Sequence, residues 1–410
     1  MKVKRPNAII YFIIYIIFYP FLKVMFRLEV DRSRYTPPKG PFVVLANHAS
    51  FIDFLIVMLS FYPCRLNAVT AQKYFLYKPL TWFLPTMGCI PKNLFDPDIR
   101  SIIGIKKVLN SGGRILMFPE GRCGTDGAYA GMHKSAGKLI KRLAVPVVTA
   151  YSVGTYTCMP FWRSGLRFGR IQITLENLFD SDQLKTMSID EVNDAVDKRL
   201  CGFGIPAPKK PLVTFGSRRL AEGLDNILYL CPKCNHEFTM ETKDCAITCR
   251  TCGNTVFLNR HMNLKPKSDS VSPNTIHEWF LLQAKHESSK LSEDMEPIII
   301  KANVKLPAKE VGAGMKHCGH GIVKMDSKGW YFDGRLSDEQ VSLFFPINTV
   351  PALPFDPDDV FQIYANGTFY MFEPEDKKRC VQYSLIGECA YWKFASPVMM
   401  TAGRSSPFES

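Results

Sequence analysis

The sequence has no run of twenty consecutive apolar residues, the length a bilayer-spanning helix requires, and no internal repeat. A multi-span membrane protein and a solenoid are thereby excluded. The longest apolar stretch, AIIYFIIYIIFYPFL at residues 8–22, stops at fifteen. Glycine and proline, 27 and 28 of 410 residues, follow no period, so the chain is not collagen-like. The thirteen cysteines cannot all pair, and four stand in two CxxC pairs. A reducing compartment with a metal site fits this pattern better than a disulfide scaffold. Acidic residues are scarce at the front. Through residue 220 there are 14 Asp and Glu against 31 Lys and Arg, and beyond it 24 against 20. The basic half predicts an anionic partner: lipid headgroups, a phosphorylated substrate or nucleic acid. The rest is ordinary for a folded protein, with 46% apolar and 22% charged residues, and the length predicts two or three domains.

Residues 8–22 follow Lys2, Lys4 and Arg5, as a signal peptide would, but no small-residue cleavage site follows them. Pro20 predicts a kink or an end to the helix, and Tyr11, Tyr15 and Tyr19 suit the headgroup level. Lys23, Arg27, Arg32 and Arg34 on the far side leave orientation open. The expectation is an anchor dipping into the cytoplasmic leaflet, or a span with its amino terminus outside, so that the thiol-rich remainder lies on the cytoplasmic side. A buried core helix is the plain alternative.

Beyond the anchor, PFVVLA (41–46), GRILMFPEG (113–121), VPVVTAYSV (145–153) and RFGRIQITLENLF (167–179) read as strands. Residues 50–62 and 136–144 read as helices. The alternation predicts an α/β fold with a mostly parallel sheet flanked by helices. The expected organisation is an anchor and lead-in at 1–40, an α/β domain at 41–205, a linker at 206–227, a cysteine-rich unit at 228–262, a linker at 263–275, and a helix plus β-rich domain at 276–410. FQIYANGTFYMF (361–372), with an Asn366-Gly367 turn, and IVKMDSKGWYF (322–332) read as hairpins.

Within LANHASFIDF, His48 and Asp53 follow a strand. Asp53 could cap the following helix in a Ser-x-x-Asp pattern with Ser50. It could also accept a hydrogen bond from the His48 imidazole, fixing its tautomer so that the other nitrogen takes a proton from an alcohol. The two roles are compatible. GCIPKN (88–93), MFPEGRCGTDG (117–127) and VPVVTA (145–150) follow in that order. This set, over about residues 41–180, resembles the glycerophospholipid acyltransferase family, whose familiar member is lysophosphatidate (1-acylglycerol-3-phosphate) acyltransferase.

The resemblance implies that His48 is the catalytic base and that Asp53 orients it. It implies substrate-binding roles for Asn47, Gly88, Lys92, Glu120, Gly121 and Arg122. Arg122 and Lys92 would clamp the acceptor's phosphate, with Glu120 orienting Arg122. The pattern departs from the family at Pro91, Asn93, Cys123 and Thr149, and Arg122-Cys123 looks like the acyltransferase part of 2-acylglycerophosphoethanolamine acyltransferases. The expected reaction moves a fatty acyl chain from acyl-CoA or acyl carrier protein to a lysophospholipid hydroxyl at a membrane surface. Lysophosphatidate is the first acceptor and a lysophosphatidylethanolamine-type acceptor the alternative, and no catalytic cofactor is expected. An acyl-enzyme on Cys123 is disfavoured, a small buried thiol being the plainer reading.

Cys231-x2-Cys234 and Cys249-x2-Cys252 resemble a zinc ribbon, whose four thiolates would close a structural site around one zinc. His317, Cys318 and His320 (KHCGHG) lack a fourth ligand and read as a glycine-rich loop. The tail faintly resembles a pleckstrin-homology-like β-barrel. A membrane-tethered zinc-ribbon scaffold or nucleic-acid binder is the competing reading. Against it, Lys233, Lys243 and Arg250 are offset by Glu237, Glu241 and Asp244, so no nucleic acid is expected.

Overall fold

The computed structural model describes residues 4–94, 98–132, 134–163, 165–205, 210–213, 218–308, 310, 312–365 and 367–395. The front half runs α1 (Ala8–Met25), β1 (Glu29–Arg34), β2 (Phe42–Ala46), α2 (Asp53–Ser60), β3 (Asn67–Ala71), α3 (Leu80–Thr86), β4 (Ile90–Lys92), α4 (Ile99–Asn110), β5 (Arg114–Met117), α5 (Lys134–Leu143), β6 (Val147–Val153), α6 (Thr155–Cys158), β7 (Gln172–Phe179), α7 (Ser181–Thr186) and α8 (Ile189–Leu200). Its seven strands lie in the order β1-β7-β6-β2-β5-β3-β4. Every neighbouring pair is parallel except β6–β7.

Alternation along β2 shows why the sheet needs cover on both sides. Phe42, Val44 and Ala46 enter the core shared with α1 and α2, while Val43 and Leu45 enter the core shared with α4, α5 and α8. All five are buried, as in a doubly covered parallel sheet. The sheet also takes in β1, from the segment expected to be lead-in, because β1 pairs with β7.

The helix does not end at Pro20. α1 continues through Pro20 to Met25, and Pro20 is exposed, where a freed carbonyl need not be buried. Tyr11 is buried against the domain and donates its hydroxyl to the Met58 carbonyl at 2.8 Å, and Tyr15 stacks on Tyr62 at 3.9 Å. The opposite stripe, including Ile9, Ile13, Ile16, Ile17 and Val24, is exposed.

The expected linkers are packed rather than loose. Residues 206–209 and 214–217 lie outside the described residues, but Leu220, Ala221, Leu224 and Ile227 are fully buried in a core with Trp162. In the second, β11 (Leu264–Pro266) joins a four-stranded sheet with β8 (Met240–Lys243), β9 (Ala246–Cys249) and β10 (Thr255–Leu258), in the order β11-β10-β9-β8. Proline and lysine marked these stretches as linkers, yet those residues end elements as readily as they join domains.

After α9 (Ile276–Lys290), a seven-stranded antiparallel sheet is built from β12 (Ile298–Pro307), β13 (Met315–Asp326), β14 (Gly329–Leu336), β15 (Glu339–Pro346), β16 (Phe355–Asp356), β17 (Val360–Ala365) and β18 (Thr368–Pro374). Its order is β15-β14-β13-β12-β18-β17-β16, and the helix α10 (Cys380–Ala390) follows. KHCGHG lies within β13, not in a loop, because Gly319 and Gly321 take ladder positions opposite Leu336 and Gly334. Of the expected turn, Asn366 lies outside the described residues, while Gly367 has φ +73°, a conformation glycine adopts without strain. The cysteine-rich unit, α9, α10 and the C-terminal sheet share one core, which also takes in Tyr156 and Trp162 from the front half.

Candidate active site

Parallel strands carry their ligand-binding loops at their C-terminal ends. Here β2 delivers His48, β3 Lys73, β4 Lys92, and β5 Glu120 and Arg122 to the same sheet edge. β2 and β5 are neighbours, so His48 and the Phe118–Arg122 loop meet directly.

The His48 Nδ1 faces Asp53 Oδ2 at 3.3 Å. The same carboxylate oxygen accepts from the Ser50 N–H at 2.7 Å, so Asp53 faces the ring and ties down the turn before α2, whose N-cap is Ile52 with no side-chain cap. Asp53 is fully buried, whereas the His48 side chain is 19% exposed. Phe118 stacks on the imidazole with ring centroids 4.3 Å apart. The His48 backbone is clasped from both sides: its N–H donates to Glu120 Oε1 at 2.6 Å, and its carbonyl accepts from the Gly124 N–H at 2.8 Å.

Glu120 therefore has a different task from the one expected. It does not orient Arg122; its second oxygen accepts from the Ala130 N–H at 2.9 Å, so it ties the His48 turn to its own loop. Burial raises its carboxyl to about 7, against the lowering effect of those two N–H groups. Gly121 closes the turn with φ +74° and donates its N–H to the Phe118 carbonyl. Burial and the Asp53 and Glu120 carboxylates push the Cys123 thiol well above its ordinary value, so it is no ready nucleophile.

Two of the residues expected to bind substrate make close contacts within the fold. Asn47 donates to the Ser152 carbonyl at 3.0 Å and accepts from the Ser152 N–H at 2.8 Å, pinning the β2 loop to β6. Gly88 precedes β4, at the opposite sheet edge from His48. A side chain there would meet Asn67 Nδ2 at 2.4 Å and the Lys4 carbonyl at 2.6 Å, and φ is +66°. Its lack of a side chain serves a tight turn. Lys92 ends β4, two strands from β5 in the sheet order.

Arg122 holds a partner that sequence reasoning missed. Its guanidinium makes a two-pronged ion pair with Glu388 of α10, including Nη2 to Oε2 at 2.8 Å. Glu388 is the lone charged residue in CVQYSLIGECA, and a lone charge on a buried helix must find a counter-charge. That was the available signal. On the same loop, Asp126 accepts from His277 of α9 at 2.6 Å, which raises the His277 pKa.

In the cysteine-rich unit, the Sγ atoms of Cys231, Cys234, Cys249 and Cys252 lie within 4.8 Å of one another. Cys231–Cys252 is 3.7 Å and Cys234–Cys249 is 3.8 Å. A tetrahedron with metal–sulfur bonds of about 2.3 Å has edges of about 3.8 Å, so these thiols fit a closed four-thiolate metal site. The residues after each second cysteine, Asn235 and Gly253, adopt positive φ of 57° and 72°, which curls both knuckles toward the centre.

Residues 27–153 match the Acyltransferase family model. A 1-acyl-sn-glycerol-3-phosphate acyltransferase of Chlamydomonas reinhardtii is 28% identical over 184 residues, covering 44% of this chain and 54% of its own. The chloroplastic 1-acyl-sn-glycerol-3-phosphate acyltransferase of Brassica napus is 27% identical over 161 residues, covering 38% and 45%. The solved structure of PlsC, a 1-acyl-sn-glycerophosphate (LPA) acyltransferase from Thermotoga maritima, superposes with a TM-score of 0.42 at 19% identity, over 48% of this chain and 81% of that one. The chain spans about half the length of the curated relatives it matches. Residues 27–153 are thus an acyltransferase-family domain, similar to those of the 1-acyl-sn-glycerol-3-phosphate acyltransferases.

Proposed function

We propose that the protein transfers a fatty acyl group from a thioester carrier to the free hydroxyl of 1-acylglycerol-3-phosphate, giving phosphatidate. The observation that carries this reading is the His48–Asp53 pair, held beside the Arg122 loop at one sheet edge. No described group hydrogen-bonds the His48 Nε2, which is left to receive the proton of the acceptor alcohol. The alcohol oxygen attacks the thioester carbonyl, the carbon–sulfur bond breaks, and the departing thiolate takes that proton from the imidazolium. Asp53 stabilises the imidazolium and fixes its tautomer, and a base so placed contributes roughly 10²–10⁴ in rate. Arg122 and Lys92 receive the acceptor's phosphate, Arg122 through a bidentate fork. Support for the acceptor comes from the named relatives.

Zinc is the metal we assign to the four thiols; it would brace the ribbon and leave no open position for chemistry. The exposed apolar stripe of α1 lies in the membrane interface, since the opposite stripe is already packed on the domain.

The test offers purified protein acyl-CoA and acyl carrier protein donors with lysophosphatidate, lysophosphatidylethanolamine and monoacylglycerol, and identifies the diacyl product. Phosphatidate should form with the wild type and not with His48→Ala. Acylation that survives in His48→Ala overturns the reading.

A further inference from the structure

The C-terminal layer covers the edge on which the site is built. Phe161, beyond β6, contacts Phe51 beside β2 and Phe355 on β16, with ring centroids 6.4 and 5.1 Å away. After β3, Gly314 donates its N–H to the Leu76 carbonyl at 2.8 Å, and Lys73 donates to Gln362 at 3.4 Å. At β5 the loop is gripped twice, by His277 on Asp126 and by Glu388 on Arg122. Glu388 is 7% exposed and Arg122 24%, so the ion pair lies inside this joint.

A carboxylate that engages both prongs of a guanidinium has the geometry a phosphate uses at the same fork. One Arg122 cannot offer that fork to two anions at once. We infer that Glu388 is an internal substitute for the acceptor's phosphate, so that this closed form is self-inhibited and opens when a phosphate-bearing acceptor takes Arg122. The inference rests on Arg122 being the phosphate seat.

The contact should act on the acceptor alone. Acceptor affinity is reduced in proportion to the fraction of molecules whose seat is open, while the thioester donor, which does not need Arg122, is unaffected. A carboxylate kept only as a structural counter-charge predicts something else. Removing it would leave Arg122 buried and unpaired, lowering stability without tightening the acceptor.

The experiment uses the full chain on vesicles. Glu388→Gln keeps the shape of the side chain and removes its charge. If the seat is open about a tenth of the time, Glu388→Gln lowers the KM for lysophosphatidate about tenfold and leaves the donor KM in place. Glu388→Asp, too short to hold both prongs, should move the same way and serves if the amide does not fold. Hydrogen exchange on the wild type needs no variant. The α10 amides, residues 380–390, should exchange faster with lysophosphatidate or with inorganic phosphate than with phosphate-free monoacylglycerol. Unchanged or raised acceptor KM in both variants, with α10 exchange indifferent to phosphate, overturns the inference. If α10 responds to phosphate but the wild type acylates no lysolipid, the functional reading fails and the Glu388 contact stands. If the wild type makes phosphatidate while neither variant nor exchange responds, only this inference fails.

Discussion

Replacing Glu120 with Gln tests whether this carboxyl places His48. Its oxygens accept from the His48 N–H at 2.6 Å and the Ala130 N–H at 2.9 Å. A Gln offers one oxygen and one NH₂, so one of those N–H groups faces a donor. A buried N–H left without an acceptor costs about 1–3 kcal/mol. The pH dependence supplies a sharper signature. Burial raises the Glu120 carboxyl from 4.5 to about 7, so the folded state holds this proton more tightly than the unfolded chain. Its contribution to stability is therefore complete below about pH 4.5, is lost as pH rises toward 7, and changes no further above that. A separation of roughly 2.5 pH units corresponds to about 3 kcal/mol. Gln does not titrate, and every other group is common to both proteins. Urea unfolding should accordingly find Glu120→Gln less stable at pH 5, with the gap closing or reversing by pH 8. Its kcat at pH 7 should drop, because a catalytic group misplaced by an ångström can lose about a hundredfold. A stability gap that does not vary with pH, or a variant with wild-type kcat, refutes the assignment.

Asp53→Asn should lower kcat by roughly 10²–10⁴ while leaving the acceptor KM nearly unmoved, since it disturbs the imidazole and not the phosphate seat; a KM effect alone contradicts the orienting role. Gly88→Ala should lower the thermal midpoint through backbone strain and contact with Asn67 and Lys4, yet leave the acceptor KM unchanged, which separates a turn glycine from a substrate contact. Metal analysis of the purified chain should find one zinc per molecule, and Cys234→Ser or Cys249→Ser should remove it and destabilise the protein. Ile13→Glu with Ile17→Glu, both on the exposed stripe of α1, should release the protein from liposomes in flotation without altering its secondary structure by circular dichroism.

The parts that could be read from the sequence are those set by short-range pattern. β2, β5 and β6 are short and mostly apolar, His48 and Asp53 are five positions apart, and the thiols stand in two CxxC knuckles. Each signal fits within one loop or one strand. β1, β3 and β4 carry no such apolar run, β3 being the mixed NAVTA. β1 is mostly exposed and held by pairing with β7, while β4 is only three residues long, so neither carries an apolar period of its own. Asn47 and Gly88 have contacts that short-range pattern does not show. Both fall within the family motifs, yet the side-chain hydrogen bonds that hold them, Asn47 with the Ser152 backbone and Asn67 with the Gly88 carbonyl, join residues distant in the chain. Long-range pairing left no mark that one sequence could reveal.

The same distance effect governs the relation between the cysteine cluster and the His48 loop. Gln283 on α9 accepts from the Tyr229 and Leu230 N–H groups that lead into the first knuckle, and donates to the Ile227 carbonyl. Glu287, one turn on, accepts from the Tyr229 hydroxyl and from Gln382 of α10. Trp279 donates its indole N–H to the Leu230 carbonyl. Ribbon, α9 and α10 are thereby tied by buried hydrogen bonds whose loss would strand polar groups, so they move together or not at all. From that platform α9 sends His277 to Asp126 and α10 sends Glu388 to Arg122. A metal held by the four thiols would therefore stiffen, through two helices, the loop that packs against His48.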